Sequence, residues 1–428
     1  MAQAAPGEED LDEAPAPEAA EPEPSATPEA ATQSATPLPE PPPAAATPVA
    51  PAVPLSIPDG EPPPGPVAPA FSPAIPNIDF GARMRIATKF QSPEDPEKLD
   101  DISQQLNADI YMSGQIHRMI KWQAGVTIAY SGALGSSNVA TVAPLDVIAR
   151  FEPLPEFNIY MGRMIIVADR FTPSGPWGMD EFFYPGVFPG ATSAPLAKGG
   201  PDSRDLGVNI WGAPLGGHLK YYLGAYQLHD PGLNPLLSGR LQISLLSPEP
   251  AFYQRTTYFG TKDLVAFGVG GQFQKAGSFL PPPAAVPGMP AMAPVTDDYS
   301  FFTADMVLEK ILGTAGTVSL YGAYMMQKGN FQRWDNFWFV SGGYLLPGVY
   351  GIGKIRFNAR YQRALENVDN AEATTVLDFQ VSYNIMAWFA RFQLGFRRSE
   401  SFVRPTTATP ALLQAGNQIY LGVTLADP

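Results

Sequence analysis

From Ile78 onward the chain alternates apolar and polar residues with a period of two, and it repeats this in segment after segment. In the first segment Ile78, Phe80, Ala82, Met84 and Ile86 share one face, while Asp79, Gly81, Arg83 and Arg85 share the other. A helix would scatter those arginines around its circumference; a strand with one apolar face keeps them together. The second segment sets Leu106, Ala108, Ile110, Met112 and Ile116 against Asn107, Asp109, Tyr111, Ser113 and Gln115. Trp122, Ala124, Val126, Ile128 and Tyr130 continue the pattern in a third. Further segments start near Leu145, Phe157, Leu206, Leu219, Arg240, Leu264, Phe301, Thr317, Phe337, Ile352, Thr375, Ala390 and Gln418, about sixteen in all. Roughly 350 residues then allow about 22 per strand and connection, enough for a tilted strand of about ten residues to cross a bilayer.

Alternation alone would suit a sandwich. The connections discriminate, because outer-membrane barrels carry short turns on the periplasmic side and long loops outside. Short links fall at 117–121, 153–156, 213–217, 311–316, 347–351 and 385–388, and longer ones between them at 91–105, 131–143, 169–204, 229–238, 276–298, 328–335, 363–372 and 399–416. Segment 248–262 is long where a short turn is due. The chain has no cysteine, and no run of eighteen apolar residues free of charge and repeated proline, so a membrane would be crossed by strands. The expected fold is all-β: a transmembrane antiparallel β-barrel of about 16 strands, residues 77–428, preceded by a disordered tail. An even strand count in this phase places both termini in the periplasm of a bacterial outer membrane. Trp122, Tyr383 and Trp388 toward the short turns, with Tyr130 and Tyr324 toward the long loops, are expected to face outward as aromatic girdles.

Residues 1–76 are the Pro/Ala/Glu-rich tail. They hold 22 of the 48 prolines and 12 of the 41 acidic residues, with no lysine or arginine. Such a segment buries too little apolar surface to offset its ordering entropy, and is expected to be a disordered, extended spacer. A tether to a periplasmic or peptidoglycan partner is the functional alternative. The residues after Met1 lack the basic and apolar regions of a signal peptide, so a processed or recombinant chain is expected. With the tail set aside, 29 acidic residues face 27 basic ones; the net charge of -14 belongs mostly to the tail and says little about a pore.

The polar faces carry Arg83, Arg85, Arg150, Lys220, Arg240, Lys354, Arg356, Arg360, Arg391 and Arg397 as pore-lining candidates, together with Asp79, Asp109, Asp146, Asp305 and Asp378. Charges facing a wet lumen attract one sign of ion and orient polar solutes. Arg356 and Arg360 share one strand face with Asn358 and Gln362, as do Arg391, Gln393 and Arg397, which favours anions; ordinary lumen charges that pair locally are the alternative. The longest connection supplies the constriction-loop candidates Asp169, Arg170, Trp177, Asp180, Glu181, Phe182, Phe183, Lys198 and Arg204. With Met179, Tyr184 and Phe188 it is too apolar for a solvated loop, and should pack against the barrel wall or a neighbouring subunit. The proline-rich loop with Met289 and Met292 is expected to be a stiff lid or disordered. His117, His218 and His229 lack metal-ligand spacing, no GxSxG motif occurs, and Gly268, Gly270 and Gly271 sit on a strand pattern, so neither an enzyme, a metal nor a cofactor is expected.

The run 157–171, FNIYMGRMIIVADRF, with Gly162 and Arg163 inside an amphipathic strand before a long loop, resembles the phosphate-selective O/P-type porin family. Segments 252–273, FYQRTTYFGTKDLVAFGVGGQF, and 354–361, KIRFNARY, are similar to it as well. The resemblance implies sixteen strands, a trimer and uptake of small anions, with the third external loop folded inward to narrow the pore. The third loop here sets Arg170, Lys198 and Arg204 against Asp169, Asp180, Glu181 and Asp202, and the chain ends without the usual terminal aromatic, on Ala426, Asp427 and Pro428. The expected function is passive diffusion of small hydrophilic solutes with an anion preference, with outer-membrane lipids and small solutes or anions as partners and no nucleic acid. A closed or plugged barrel anchoring an envelope complex is the alternative, and a soluble secreted β-protein a third.

Overall fold

The alternating segments become strands because each buries its polar face inside a closed ring and leaves its apolar face outside. In the computed structural model, the described residues are 78–91, 98–133, 139–186, 198, 203–227, 234–280, 295–329, 334–366, 371–403 and 416–426. The tail, His229, Phe188, Asp202 and the loop with Met289 and Met292 lie outside the described residues. The first strands are β1 (Ile78–Gln91), β2 (Asp101–His117), β3 (Ile120–Ala133), β4 (Val139–Leu154) and β5 (Phe157–Ile165). A short helix, α1 (Phe171–Gly178), precedes β6 (Arg204–Gly212), β7 (Leu219–Gln227), β8 (Leu236–Ser244) and β9 (Leu264–Leu280). Then come β10 (Val295–Ile311), β11 (Thr317–Lys328), β12 (Trp334–Leu345), β13 (Lys354–Glu366), β14 (Ala371–Asn384), β15 (Ala390–Val403) and β16 (Gly416–Ala426).

Every strand pairs antiparallel with its neighbour in sequence, and β1 closes on β16 from Arg83 opposite Ala426 to Gln91 opposite Gln418. Closure removes the open edges that lipid could not satisfy. The sixteen strands match the sixteen alternating segments one for one. Their ends do not: β2, β4 and β10 begin several residues before the expected starts, in stretches whose polar composition reads as loop. A ladder hydrogen bond needs no apolar side chain, so a strand extends past the membrane band into water.

The outer face carries Phe80, Ile110, Leu223, Phe302, Phe357, Phe379 and Leu421, all exposed, while Arg85, Arg240, Asp305, Arg356 and Asp378 are buried inside. That inversion of the usual soluble arrangement is what a hydrocarbon surround and a polar lumen require. Among the described residues no helix is long and apolar enough to cross a membrane. β1 begins and β16 ends at the rim that carries the short connections.

Two expectations are corrected here. Trp388 does not face outward: it is buried against Phe259 and Leu345 at the short-turn mouth, because the chain between β8 and β9 has entered the barrel and offers it a partner. That segment, 245–263, is the connection too long for its place. It is not a surface loop; Gln254, Thr256 and Thr257 are all buried.

Candidate functional site

The described first part of the connection between β5 and β6, residues 166–186, crosses the lumen and lies against the opposite wall. Asp169 starts it: its carboxylate accepts from the backbone N–H groups of Phe171 (2.6 Å) and Thr172 (2.7 Å) and from the Thr172 hydroxyl, which opens α1. Pro176 and the left-handed Gly175 kink that helix, so the chain turns toward β13–β15. There Asp180 accepts from Arg356 Nε (2.7 Å) and from Asn358 Nδ2 (2.6 Å). Glu181 accepts from the Ser341 hydroxyl and faces Arg360 at 3.7 Å. The Phe182 N–H donates to Gln380 (2.8 Å), and Arg391 donates to the Met179 carbonyl (2.8 Å). Phe182 and Phe183 pack on Tyr420 of β16. The apolar character of this loop is thus spent on the barrel wall of its own chain.

Segment 245–263 enters from the other rim and meets the loop. Arg170 and Glu249 form a buried pair, 2.6 Å and 3.0 Å, and Arg170 also donates to the Arg255 carbonyl (2.7 Å). Asp180 N–H donates to Thr256 Oγ1 (2.9 Å), and Thr256 N–H to the Gly178 carbonyl (3.1 Å). The Arg170 guanidinium, with help from Lys220 and the Tyr258 hydroxyl, holds the Glu249 carboxyl down to about 2 despite burial, and the Arg170 side chain is shifted upward by the same pair. Glu309 anchors the end of the segment, accepting from Thr257 Oγ1 (2.6 Å) and the N–H groups of Tyr258 and Gly260 (2.7 Å each).

The wall makes room for the loop and for its own lumenal arginine. A Cβ at Gly270 would fall on the Ala168 carbonyl oxygen of the loop, and one at Gly268 on the Arg240 guanidinium. The glycine run of β9 is therefore a seat for close approach. Arg240 itself pairs with Asp305 across to β10, 2.9 Å for its longer contact.

The sequence-derived candidates separate into groups. Arg356, Arg360, Arg391 and Arg397 point inward but lie beneath the loop; Arg360 (2.9 Å) and Arg397 (2.5 Å) also clamp Asp378. Lys220 is buried, donating to the Ala251 carbonyl (2.7 Å). Arg150 stands over the Tyr160 ring at 5.3 Å, and Lys354 is half-buried at the start of β13. Arg163 of the β5 motif turns outward and donates to the carbonyls of Pro144 (3.1 Å) and Arg204 (3.2 Å). Lys198 N–H meets Gln272 (2.8 Å), and burial lowers its ammonium to about 8.

Arg83, Arg85, Trp177 and Arg204 are brought together around a cavity of about 390 Å³ between β1–β4, the kinked helix and Arg255. Arg83 Nε pairs with Asp109 at 2.8 Å, an oxygen that Trp177 Nε1 also reaches at 3.0 Å, and Arg204 pairs with Asp146 at 2.8 Å. Among the described residues neither Arg85 nor Arg255 has a carboxylate partner. Arg85 donates to the Phe182 carbonyl and lies 4.2 Å from that ring, and Arg255 lies 5.1 Å from the Trp388 ring. Glu249, Arg255, Gln380 and Ser341 escaped the sequence reading; the one signal was the polar-aromatic stretch 252–259 in a connection too long for its rim. Among the described residues no three His, Asp or Glu gather as metal ligands.

Comparison with solved structures places this fold among outer-membrane barrels. OmpT of Vibrio cholerae expressed in the outer membrane is 13% identical, with a TM-score of 0.50 over 84% of this chain and 100% of that one. OmpT of the same organism, folded in vitro and described as a trimer form, is 13% identical, TM-score 0.50, over 82% of this chain and 99% of that one. The high-pH structure of Pseudomonas putida OprB is 8% identical, TM-score 0.53, over 82% of this chain and 94% of that one. At these identities the likeness is one of fold. No protein-family model matches the chain, and no curated protein matches it.

Proposed function

We propose that this chain is a porin of the bacterial outer membrane, passing small hydrophilic solutes by passive diffusion with a preference for anions, and not an enzyme. The observation that carries the reading is the cavity beside β1–β4, where four guanidiniums meet two carboxylates inside a barrel whose outer face is apolar. Unpaired fixed positive charge in a wet, low-dielectric passage raises the local concentration of anions. The β5–β6 loop, held by acid residues on the basic wall of β13–β15, sets the width of the passage. In this reading both termini are periplasmic, the tail is a spacer on that side, and the barrel assembles as a trimer, the form described for in-vitro folded OmpT of Vibrio cholerae.

Purified full-length protein in planar bilayers tests this. Under a potassium chloride gradient, the reversal potential should move toward the chloride equilibrium potential, and phosphate should carry current less well than chloride. Absence of current through correctly inserted protein would overturn the reading in favour of an envelope anchor.

A further inference from the structure

We infer that the cavity beside β1–β4 is a binding subsite for a small organic monoanion with a carboxylate and a planar apolar body, an aryl carboxylate being the chemical type. The inference rests on the porin reading for its access route, and on the cavity alone for its chemistry.

Charge comes first. Asp109 and Asp146 are each held by an arginine, so the acids of the cavity are neutralised within it. Of the four cations that line the cavity, that leaves Arg85 and Arg255 without a carboxylate partner among the described residues. Arg85 is only 5% exposed, and its Nε has no hydrogen-bond partner. A buried N–H of a charged group left unpaired is costly, and a ligand oxygen removes that cost. Arg255 comes from the unexpected inward segment, whose backbone is fixed by the bond from Arg170 to its carbonyl. Its side chain is thereby carried to the cavity by a rigid support.

The rings choose the body. Arg85 lies 4.2 Å from the Phe182 ring and Arg255 5.1 Å from the Trp388 ring, so each guanidinium has an aromatic neighbour, and both line the cavity. The N–H edge of a guanidinium matches a carboxylate with two parallel hydrogen bonds. Trp177, Tyr111 and Tyr253 complete the wall with aromatic surface against which a planar group can lie. A phosphate dianion fits less well. Much of the wall beside its remaining oxygens is ring rather than donor.

Calorimetric titration of the full chain in detergent with benzoate is the direct test, with inorganic phosphate and benzyl alcohol as comparison probes. Saturable benzoate binding is expected, with both comparison probes much weaker. Arg255→Gln should weaken benzoate about tenfold or more, the loss of one charge-assisted hydrogen-bonded contact. The Arg255 side chain makes no hydrogen bond to the rest of the chain among the described residues, so this variant should fold; Arg85→Gln is the second variant, with the same direction expected. Unchanged benzoate affinity in Arg255→Gln, or phosphate binding as tightly as benzoate, would overturn the subsite. Conductance of the same preparation separates the two readings. Ion flow without benzoate binding removes the subsite and leaves the porin, whereas benzoate binding without ion flow keeps the subsite and removes the porin.

Discussion

Glu249 shows how a single side chain can join two parts of the chain that arrive from opposite rims. It accepts from Arg170, Gln242 Nε2 (2.7 Å) and Tyr258 hydroxyl (2.6 Å) while almost wholly buried. Its folded pKa of about 2 lies below the ordinary glutamate value of about 4.3. A depressed carboxylate contributes stability in full above its unfolded value, and that contribution is lost as pH falls through about 2; here it is on the order of 3 kcal/mol. Glu249→Gln should therefore lower the thermal unfolding temperature at neutral pH, by the ~3–5 kcal/mol typical of leaving one buried charge unpaired. It should also flatten the loss of stability between about pH 5 and pH 2, read by circular dichroism melts of the detergent-solubilised barrel. A variant as acid-sensitive as the parent would remove Glu249 from the latch. The arginines of the polar faces were legible in the sequence as inward residues; that Arg356 and Arg360 are taken up by Asp180, Glu181 and Asp378 was not. Period-two patterning gives the side of the wall; Asp180 and Glu181 come from well over a hundred residues away and leave no local trace, while Asp378 meets Arg360 only through the pairing of β13 with β14.

At the scale of elements, two connections determine what the barrel encloses, and the wall is shaped to receive them. β9 was readable as a strand, and its glycines as strand glycines, but only the crossing loop explains why Gly270 has no side chain. Gly270→Val would drive its side chain into the Ala168 carbonyl, against which the loop has the Val167 carbonyl bonded to Ser238 at 2.6 Å. The expected cost is ~1–3 kcal/mol from overpacking, with noisier single-channel current as the loop leaves its seat. A quiet channel of unchanged stability would show that the loop is not held there. The β8–β9 segment is the element that sequence rules misplaced. Turn length at the short-connection rim is a preference set by the absence of a role for extra chain, and it lapses where the extra chain is buried, hydrogen-bonded by Glu309 and packed on Trp388.

The molecule as a whole combines an expected shell with an unexpected distribution of its interior. Loop and inward segment together fill the side of the lumen facing β8–β15, so a solute path would run eccentrically along β1–β4. The absence of cysteine from the chain makes this directly measurable, since each introduced thiol is the only one present. Gln123 lines the cavity, whereas Thr303 points inward from β10 and is fully buried. In Gln123→Cys, a bulky charged methanethiosulfonate added during bilayer recording should reduce the current stepwise, a negatively charged reagent reacting faster than a positive one because the cavity carries unpaired guanidiniums. Thr303→Cys should be unaffected under the same conditions, although the thiol becomes reactive once the barrel is unfolded in denaturant, which verifies that it is present. Rapid modification of Thr303→Cys in the folded protein, with Gln123→Cys inert, would place the path on the opposite side. Equal reactivity at both would mean that the two inward segments leave the lumen during conduction, and the buried pair of Arg170 and Glu249 would then have to separate in the open channel.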